Sequence, residues 1–399
     1  MRKNWWNNNS KDASLKLVLE HAKYFPLWWD PNKFDWSYSS MLANYCTDYF
    51  EDWWDSEKFD WKLGSHVLAQ RCSKYFDKWW DPKKFNWQDA TRTLIEHCSE
   101  HFDKWWDPER DWSSVSYLLA KYCARHFHKW WNPDKYDWDC YSSYLAEYCS
   151  DYFFDWWDPK RYNWDEGSRE LAQYCSKYFH FWWNPEKYNW ELGGSWALAE
   201  HCSEFFEVWW DPDKFDWYFA LESLAEHCSQ YFDIWYPSSP VRSSSVFAKY
   251  CSQYFDKWWD SEQYDWVAGS EHLAKHCSQH FHKWWNPTKY NWSMASRALA
   301  RYCNKYFKDW WDPERFNWLN GAEELILYCT EHINTWWDPE KLEPEFTKKL
   351  LKHIQLQTTD SVSAHNQTTK DTNVRQDLIE KLSQLIKSLD SLIKELKKD

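Results

Sequence analysis

Glycine is scarce in this chain, with only 6 glycines among 399 residues. No glycine-rich run that could cradle a phosphate group occurs, and neither a His-Glu-x-x-His motif nor a Gly-x-Ser-x-Gly nucleophile elbow is present. Aspartate and glutamate are abundant, but they recur in step with a repeat rather than in one cluster. The sequence therefore assigns no catalytic residue, no cofactor and no metal site, and we expect a protein that is not an enzyme.

Long apolar runs are also missing. No run approaches the ~18 residues that a membrane-spanning helix needs. The first residues, MRKNWWNNNSKDAS, lack the apolar stretch of a signal peptide. The formal net charge is −14, which disfavours a polyanionic partner such as nucleic acid. We therefore expect no membrane segment and no nucleic-acid ligand.

Tryptophan, in contrast, is in large excess. The chain has 39 Trp, and together with 26 Tyr and 23 Phe the aromatic residues reach 22%. Adjacent Trp pairs recur every 25 to 27 residues, with shorter steps of 23 residues before Trp28 and Trp258. A typical unit begins at Asn86 and reads NWQDATRTLIEHCSEHFDKWWDPERD. The period indicates a tandem array of about 13 repeats.

The repeated positions predict two short helices per unit. An Asp or Asn that can cap a helix precedes the single Trp, and an apolar stripe of helical spacing follows it. The caps include Asp35, Asp60, Asn86, Asp137, Asn163 and Asn291. Ser, Thr or Asn follows the repeated Cys in eleven of twelve copies, which predicts a helix break with that residue as the second cap. Asp-Pro or Asn-Pro then ends the second helix.

Helices of roughly 11 and 8 residues are too short to stand alone, so they must bury their stripes against neighbouring repeats. The sequence therefore predicts an all-α fold, an α-solenoid of Trp-rich repeats of about 26 residues. The competing arrangement is one long helix per repeat, with successive helices alternating in direction.

The pattern resembles the variant leucine-rich repeats, which are solenoids of short helices. The likeness rests on a Leu-Ala pair followed by an Asn-Pro or Asp-Pro turn. Examples are Leu171–Ala172 with Asn184–Pro185, and Leu299–Ala300 with Asp312–Pro313. It covers residues 15–340 and implies solenoid architecture but no activity, because the Trp pairs and the longer period depart from that family.

Cysteine follows the same period. Twelve of the 13 cysteines occupy one position per repeat, and Cys140 is the exception. Neighbouring helices lie about 8–10 Å apart, whereas a disulfide needs Cα atoms within about 7 Å. No Cys-x-x-Cys pair suggests zinc. We therefore expect small buried free thiols, which suit a reducing compartment and hence a cytoplasmic location.

The chain divides into five segments by composition. They are a polar N-terminal segment (1–14), the repeat array (15–340), a capping helix (341–356), a flexible polar linker (357–373) and an amphipathic heptad helix (374–399). The leucines of the last segment alternate steps of four and three: Leu378, Leu382, Leu385, Leu389, Leu392 and Leu396. They predict homo-oligomerisation, with folding back onto the array as the alternative.

The array is interrupted after Trp235, where WYPSSPVRSSSVF replaces the usual turn. The prolines and serines predict a loop, which is either a hinge or a decayed repeat.

Three Trp per repeat would overfill a core of such short helices, so we expect one Trp of each pair to be partly exposed. The candidate binding surface consists of the second Trp and a nearby Tyr: Trp54, Trp80, Trp106, Trp131, Trp157, Trp183, Trp210, Trp259, Trp285, Trp311, Tyr49, Tyr75, Tyr152 and Tyr178. The alternative is that most of these rings serve only core packing. We expect a protein–protein interaction scaffold with an unidentified protein partner; the alternative is a carbohydrate-binding array that uses exposed Trp.

Overall fold

A computed structural model of the chain describes residues 5–6, 13–240 and 243–338. The segments predicted at 341–356, 357–373 and 374–399 lie outside these residues, as does most of the segment 1–14. The described part is helical throughout and contains no strand, as the sequence predicts. Within it, no helix combines the length and apolar character needed to cross a lipid bilayer.

The chain forms two compact units, Met1–Phe205 and Phe206–Asp399. Each unit contains one long helix per repeat. The first unit contains α1 (Ala13–His21), α2 (Ser39–Tyr45), α3 (Trp61–Arg71), α4 (Trp87–His97), α5 (Ser116–Cys123), α6 (Trp138–Tyr148), α7 (Trp164–Tyr174) and α8 (Gly194–His201). The second unit contains α9 (Trp217–His227), α10 (Ser244–Tyr250), α11 (Trp266–His276), α12 (Trp292–Tyr302) and α13 (Trp318–Tyr328).

Each long helix is followed by a 3₁₀ turn and a four-residue α-helix. The 3₁₀ turns that follow the long helices are Ala22–Tyr24, Thr47–Tyr49, Ser73–Tyr75, Ser99–His101, Ala124–His126, Ser150–Tyr152, Ser176–Tyr178, Ser203–Phe205, Ser229–Tyr231, Ser252–Tyr254, Ser278–His280, Asn304–Tyr306 and Thr330–His332. Three further turns, Trp36–Tyr38, Ser113–Val115 and Tyr236–Ser238, lie in irregular repeats. The four-residue helices are Phe25–Trp28, Phe50–Trp53, Phe76–Trp79, Phe102–Trp105, Phe127–Trp130, Phe153–Trp156, Phe179–Trp182, Phe206–Trp209, Phe232–Trp235, Phe255–Trp258, Phe281–Trp284, Phe307–Trp310 and Ile333–Trp336.

The predicted N-caps are confirmed. The Asp60 side chain accepts a hydrogen bond from the Leu63 backbone N–H at 3.1 Å, and Asn163 accepts from Asp165 and Glu166. These bonds satisfy N–H groups that the first helical turn leaves without partners. Asn163 also donates its Nδ2 to the Asp139 carbonyl oxygen of the preceding repeat, at 2.6 Å. Asparagine thus caps its own helix and fastens it to the neighbouring one.

The predicted helix break is confirmed, but the predicted second cap is wrong. The backbone leaves helical geometry at the cysteine, as at Cys72 with φ −114° and ψ 21°. The following Ser73 is the first residue of the 3₁₀ turn, and no side chain caps that turn. At the equivalent position, the Thr47 hydroxyl instead donates back to the Ala43 carbonyl oxygen at 3.0 Å. The Thr47 hydroxyl therefore serves the end of the long helix rather than the start of the next segment.

Consecutive long helices pack against each other within each unit. The contacts lie at both helix ends in the same register. The Asn86 side chain reaches the Lys62 carbonyl near the start of α3, and Cys98 Sγ lies 3.6 Å from the Ala69 carbonyl oxygen near its end. Neighbouring long helices are therefore parallel, and the arrangement with alternating directions is wrong. Leu68 and Ala69 are fully buried between the helices.

Several repeats change in length, and two of them show how the backbone accommodates the change. An extra residue before α8 is accommodated by positive φ angles at Leu192 (49°) and Gly193 (91°), a conformation that glycine adopts without strain. After Trp235, the structure forms the 3₁₀ turn Tyr236–Ser238, and α10 begins only at Ser244. The predicted loop is thus partly helical.

Candidate binding surface

The first Trp of each pair belongs to the core. Trp182 is 1% exposed, and its indole Nε1 donates to the Cys175 carbonyl oxygen at 2.8 Å. The same hydrogen bond, between residues seven positions apart in the sequence, recurs along the array, for example from Trp53 to Cys46 and from Trp310 to Cys303. The break at the cysteine takes this carbonyl out of the α-helical pattern, and the oxygen accepts both the indole N–H and the backbone N–H three residues on, as from Tyr178 to Cys175 at 2.9 Å. The indole N–H therefore makes the helix break stable.

The second Trp of each pair is half-buried in all ten candidate positions. This placement confirms that one Trp of each pair is partly exposed. The ring of Trp54 stacks on Phe50 at 5.2 Å between centroids, and Trp61 packs edge-on against it at 5.6 Å. Its Nε1 donates to the Lys78 carbonyl oxygen of the next repeat at 3.2 Å. One face and one edge of this indole are therefore already in contact with the protein.

The candidate tyrosines stack on the preceding repeat. Tyr75 lies 4.4 Å from Phe50, with an angle of 9° between the rings. Phe50 is thus held between Trp54 of its own repeat and Tyr75 of the next. Tyr49, Tyr152 and Tyr178 make the same contact with the preceding Phe, and His101 and His126 replace tyrosine in this role. The structure therefore joins the candidate Trp and Tyr rings in one three-ring stack at each repeat junction.

The cysteines of the repeat are buried free thiols, as expected, whereas Cys140 is exposed. Many of these thiols contact an alanine carbonyl oxygen of the preceding repeat. For example, Cys175 Sγ lies 3.7 Å from the Ala146 carbonyl oxygen. Burial raises the pKa of the Cys98 thiol to about 12. The same cause raises the pKa of Cys72, Cys175 and Cys303 to about 12. These thiols stay protonated and shielded at neutral pH.

We expect the folded protein to react with one equivalent of a thiol reagent at pH 8. Cys140 is the exposed thiol, and the buried ones lack both access and thiolate character. Titration with a chromogenic disulfide before and after adding urea counts the reactive thiols. In the unfolded chain all 13 thiols should react. The variant Cys140→Ser should show no fast reaction. Rapid modification of several thiols in native Cys140→Ser would contradict the burial of the cysteine position.

A buried serine hydroxyl connects the repeats along the core. Ser168 Oγ donates to the Trp164 carbonyl oxygen at 2.6 Å and accepts from the Asn189 backbone N–H of the next repeat at 3.0 Å. The same acceptor role belongs to Ser14, Ser39, Ser65, Ser142, Ser244, Ser270 and Ser296. Ser116 occupies this position in α5 but has no hydrogen-bond partner among the described residues.

This difference gives a matched pair of variants. Ser168→Ala should lower the free energy of unfolding by about 1–3 kcal/mol, because the Asn189 N–H loses its buried acceptor. Ser116→Ala should change it by less than about 0.5 kcal/mol, because no bond is lost. Urea unfolding monitored by circular dichroism measures both. Equal losses for the two variants would show that the hydroxyl does not connect the repeats.

Surface positions vary between repeats while the core positions stay constant. In the second unit the first turns of the long helices expose apolar side chains. Tyr218 and Phe219 of α9 are 82% and 74% exposed, and Val267, Met294 and Leu319 of α11, α12 and α13 are 77%, 67% and 77% exposed. We call these five residues the first-turn stripe. The repeat pattern did not predict these five residues, although they stand at repeat positions that are polar in other copies, such as Gln88 and Asp89.

The first turns of α11, α12 and α13 are tied side by side. The Asn291 side chain before α12 donates to the Val267 carbonyl oxygen at 3.0 Å. In the same way Asn317 before α13 donates to the Ser293 carbonyl oxygen at 2.7 Å. The side chains of Val267, Met294 and Leu319 are therefore displayed from adjacent, rigidly connected turns.

The first unit carries a different patch, a cluster of half-buried tyrosines on α5 and α6. Tyr117 lies 4.6 Å from Tyr141 and 5.4 Å from Tyr144, and Tyr144 lies 5.9 Å from Tyr148. Lys121 lies over the Tyr148 ring at 5.9 Å, in the range of a cation–π contact. Burial and a hydrogen bond with Glu147 raise the pKa of Tyr148 to about 12. The Tyr148 phenol is therefore an uncharged hydrogen-bonding group at neutral pH.

Charged side chains pair across repeats on the outer side of the four-residue helices. Lys129 contacts Asp103 at 2.5 Å, Lys283 contacts Asp256 at 2.5 Å, and Lys104 pairs with Asp77. The Lys104 ammonium holds the pKa of Asp77 below its ordinary value. Exposed pairs of this kind contribute little stability each. They occupy part of this side with compensated charge, while Phe154 and Phe181 of two four-residue helices are each 64% exposed there, with ring centroids 4.9 Å apart.

No group of three or more His, Cys, Asp and Glu side chains able to hold a metal ion occurs in the described residues. Comparisons of the chain with models of protein families, with curated proteins and with solved structures find no match. The resemblance to the variant leucine-rich repeats therefore concerns the tandem short-helix architecture, which the structure confirms, and carries no activity.

Proposed function

We propose that this protein is a non-enzymatic protein–protein interaction scaffold. The observation that carries the proposal is the first-turn stripe, whose five side chains are 67% to 82% exposed on an otherwise constant framework. Val267, Met294 and Leu319 stand on adjacent first turns, whereas Tyr218 and Phe219 stand together on α9. Large exposed apolar side chains of this kind are typical of protein-binding surfaces. The hydrogen bonds and ring stacks between repeats keep the stripe rigid, which lowers the entropic cost of binding.

The test compares partners captured by the full chain and by a variant with Tyr218→Ser and Phe219→Ser. Both residues are on the surface, so the variant should keep the unfolding midpoint of the parent. Quantitative mass spectrometry should show at least one stoichiometric protein that the parent captures and the variant loses. The control variant Lys308→Ser changes an exposed position away from the stripe and should keep that protein. Identical captured proteins for all three chains would refute the role of the stripe.

The heptad leucines at 374–399 support a second part of the proposal, that the scaffold is an oligomer and therefore multivalent. Sedimentation equilibrium of the full chain should give a multiple of 49.5 kDa. A chain ending at residue 373 should sediment as a monomer. A monomeric full-length chain would remove this part and leave the first-turn stripe untouched.

The alternative function, a carbohydrate-binding array on the second Trp of each pair, has weaker support. Sugar rings stack on open aromatic faces, whereas Phe50 already covers one face of Trp54. Trp fluorescence titrated with a panel of oligosaccharides tests it. We expect no saturable change; a saturable response lost in Trp54→Phe would favour the glycan function instead.

A further inference from the structure

One aromatic position of the repeat is missing from two copies. In a complete repeat, a Phe or Tyr stands just before the N-cap and packs over the first turn of the long helix. Its members are Phe34, Phe59, Phe85, Tyr136, Tyr162, Tyr188, Phe215, Tyr264, Tyr290 and Phe316. These rings are 3% to 6% exposed. The fit is so close that a Cβ on Gly64 would come within 2.2 Å of the Phe59 ring.

The repeat of α5 lacks this ring, because Asp111 follows Arg110 directly where Phe85 separates Lys84 from Asn86 one repeat earlier. The single Trp112 moves into part of the space. It stacks on Trp106 at 4.9 Å with an angle of 23°, whereas the equivalent Trp87 meets Trp80 edge-on at 83°. A deletion in the sequence thus changes the packing of the neighbouring aromatic residues.

A cavity of about 120 Å³ lies at this place. Its walls are mainly aromatic: Trp106, Trp112, Trp130, Trp131 and Tyr136, with Leu119. Lys129, Asn132 and Lys135 also line it. An apolar cavity of about 150 Å³ is enough to admit benzene. The space is therefore comparable in size to a single aromatic ring, which is what the deletion removed.

Ser116 gives the cavity one polar group. The residue is 4% exposed, lines the cavity, and has no hydrogen-bond partner among the described residues. The backbone before α5 differs from that of the complete repeats, because Val115 N donates to the Trp112 carbonyl oxygen at 3.0 Å in a 3₁₀ turn where those repeats begin the long helix at the Trp. A buried hydroxyl without a partner is costly and is stabilised by any ligand that supplies one.

A second cavity confirms that the missing ring creates the space. After Trp235 the chain lacks the same aromatic position, and a cavity of about 260 Å³ lies there at the equivalent repeat position, lined by Ser244, Phe247 and Trp258. Here, however, Ser244 Oγ already accepts from the Asp265 N–H at 2.9 Å. Of these two cavities, the one beside α5 combines aromatic walls with an unused hydroxyl.

We propose that the cavity beside Ser116 binds a phenol-type ring, whose edge packs among the Trp side chains while its hydroxyl bonds to Ser116. The same chemistry has two sources, a free phenolic molecule or a tyrosine side chain of a peptide. The site is distinct from the first-turn stripe and does not depend on the scaffold function.

Fluorine NMR of 4-fluorophenol with the full chain tests the proposal. A Kd on the order of 1 mM is expected for a ligand with so few heavy atoms. Fluorobenzene should bind the parent several-fold more weakly, because it cannot bond to the hydroxyl. Ser116→Ala should weaken 4-fluorophenol about tenfold and leave fluorobenzene unchanged, whereas the exposed control Ser114→Ala should change neither. No binding of 4-fluorophenol, or equal affinity in Ser116→Ala, would overturn the proposal.

A second variant locates the site independently of the hydroxyl. Insertion of Phe between Arg110 and Asp111 restores the ring of the complete repeat, and should abolish the component of 4-fluorophenol binding that depends on Ser116. Retention of that component in a folded insertion variant would also overturn the proposal. Competition by N-acetyl-tyrosinamide distinguishes the sources: effective competition shows that a peptide tyrosine enters, and its absence identifies the ligand as a free phenol.

Discussion

Raising the pH from 9 to 10 should lower the free energy of unfolding of the first unit by about 6 kcal/mol, about 1 kcal/mol for each of six buried thiols that include Cys149. Burial raises the pKa of Cys46, Cys72, Cys98, Cys123 and Cys175 in this unit to about 12, against an ordinary value of 9.0. The fold therefore favours the protonated thiol. Its contribution to stability is complete below pH 9 and is lost as the pH rises towards 12, because the unfolded thiols ionise first.

The measurement is a series of urea unfolding curves between pH 8 and 10.5, with reductant present. Each buried thiol contributes at most about 1.4 kcal/mol per pH unit to the slope. Cys98→Ala should therefore reduce the slope of unfolding free energy against pH by up to about 1.4 kcal/mol per pH unit, whatever its effect on stability at neutral pH. Cys140→Ala is the comparison variant and should reduce the slope less than Cys98→Ala, because Cys140 is exposed and its pKa is raised by the neighbouring Asp137 rather than by burial. An equal slope in Cys98→Ala and the parent would show that buried thiols do not govern the alkaline transition.

The two members of one Trp pair should differ strongly in their contribution to stability. Trp182→Ala should cost about 3–5 kcal/mol, because it empties a fully buried site. It also leaves the Cys175 carbonyl without its indole partner. Trp183→Ala should cost roughly half as much, since that ring is half-buried and retains solvent contact in the native state. Urea unfolding of both variants at pH 7 measures the difference.

Trp to Phe variants separate packing from hydrogen bonding. Trp182→Phe keeps an aromatic ring but removes the N–H, and should cost about 0.5–1.5 kcal/mol for the lost hydrogen bond, because the Cys175 carbonyl oxygen still accepts from the Tyr178 backbone N–H. Trp183→Phe is the control, because the structure shows no hydrogen bond from its indole to the described residues. Comparable losses in the two Phe variants would mean that the bond to Cys175 does not stabilise the helix break.

Local chemistry in the sequence was enough to predict the repeat, its caps and the partial exposure of one Trp. Asn163 has a side chain suited to an N-cap, and Asp-Pro stops a helix wherever it stands. The role of Ser168 was not predictable in this way, because its partner is the Asn189 N–H, 21 residues away. The phenol-sized cavity was also missed, since it follows from what a one-residue deletion leaves unfilled in three dimensions.

The surface was predicted only in part for a related reason. The repeat pattern drew attention to the constant Trp54 and Tyr75, and the structure places both in stacks that join repeats. The exposed Tyr218 and Phe219 break the pattern, so a search for constant positions passes over them. In a repeat array the constant residues hold the fold, and the exceptions are the better candidates for binding.

The hydrogen bonds between repeats also have a kinetic consequence. The serine bridges span 21 residues and the cysteine contacts mostly 29, so each bond closes a loop of about one period. The chain-entropy cost of adding a repeat is therefore nearly the same along a unit, and no contact has to wait for distant parts of the sequence. Within each unit, folding can begin at any well-packed pair of repeats and spread in both directions.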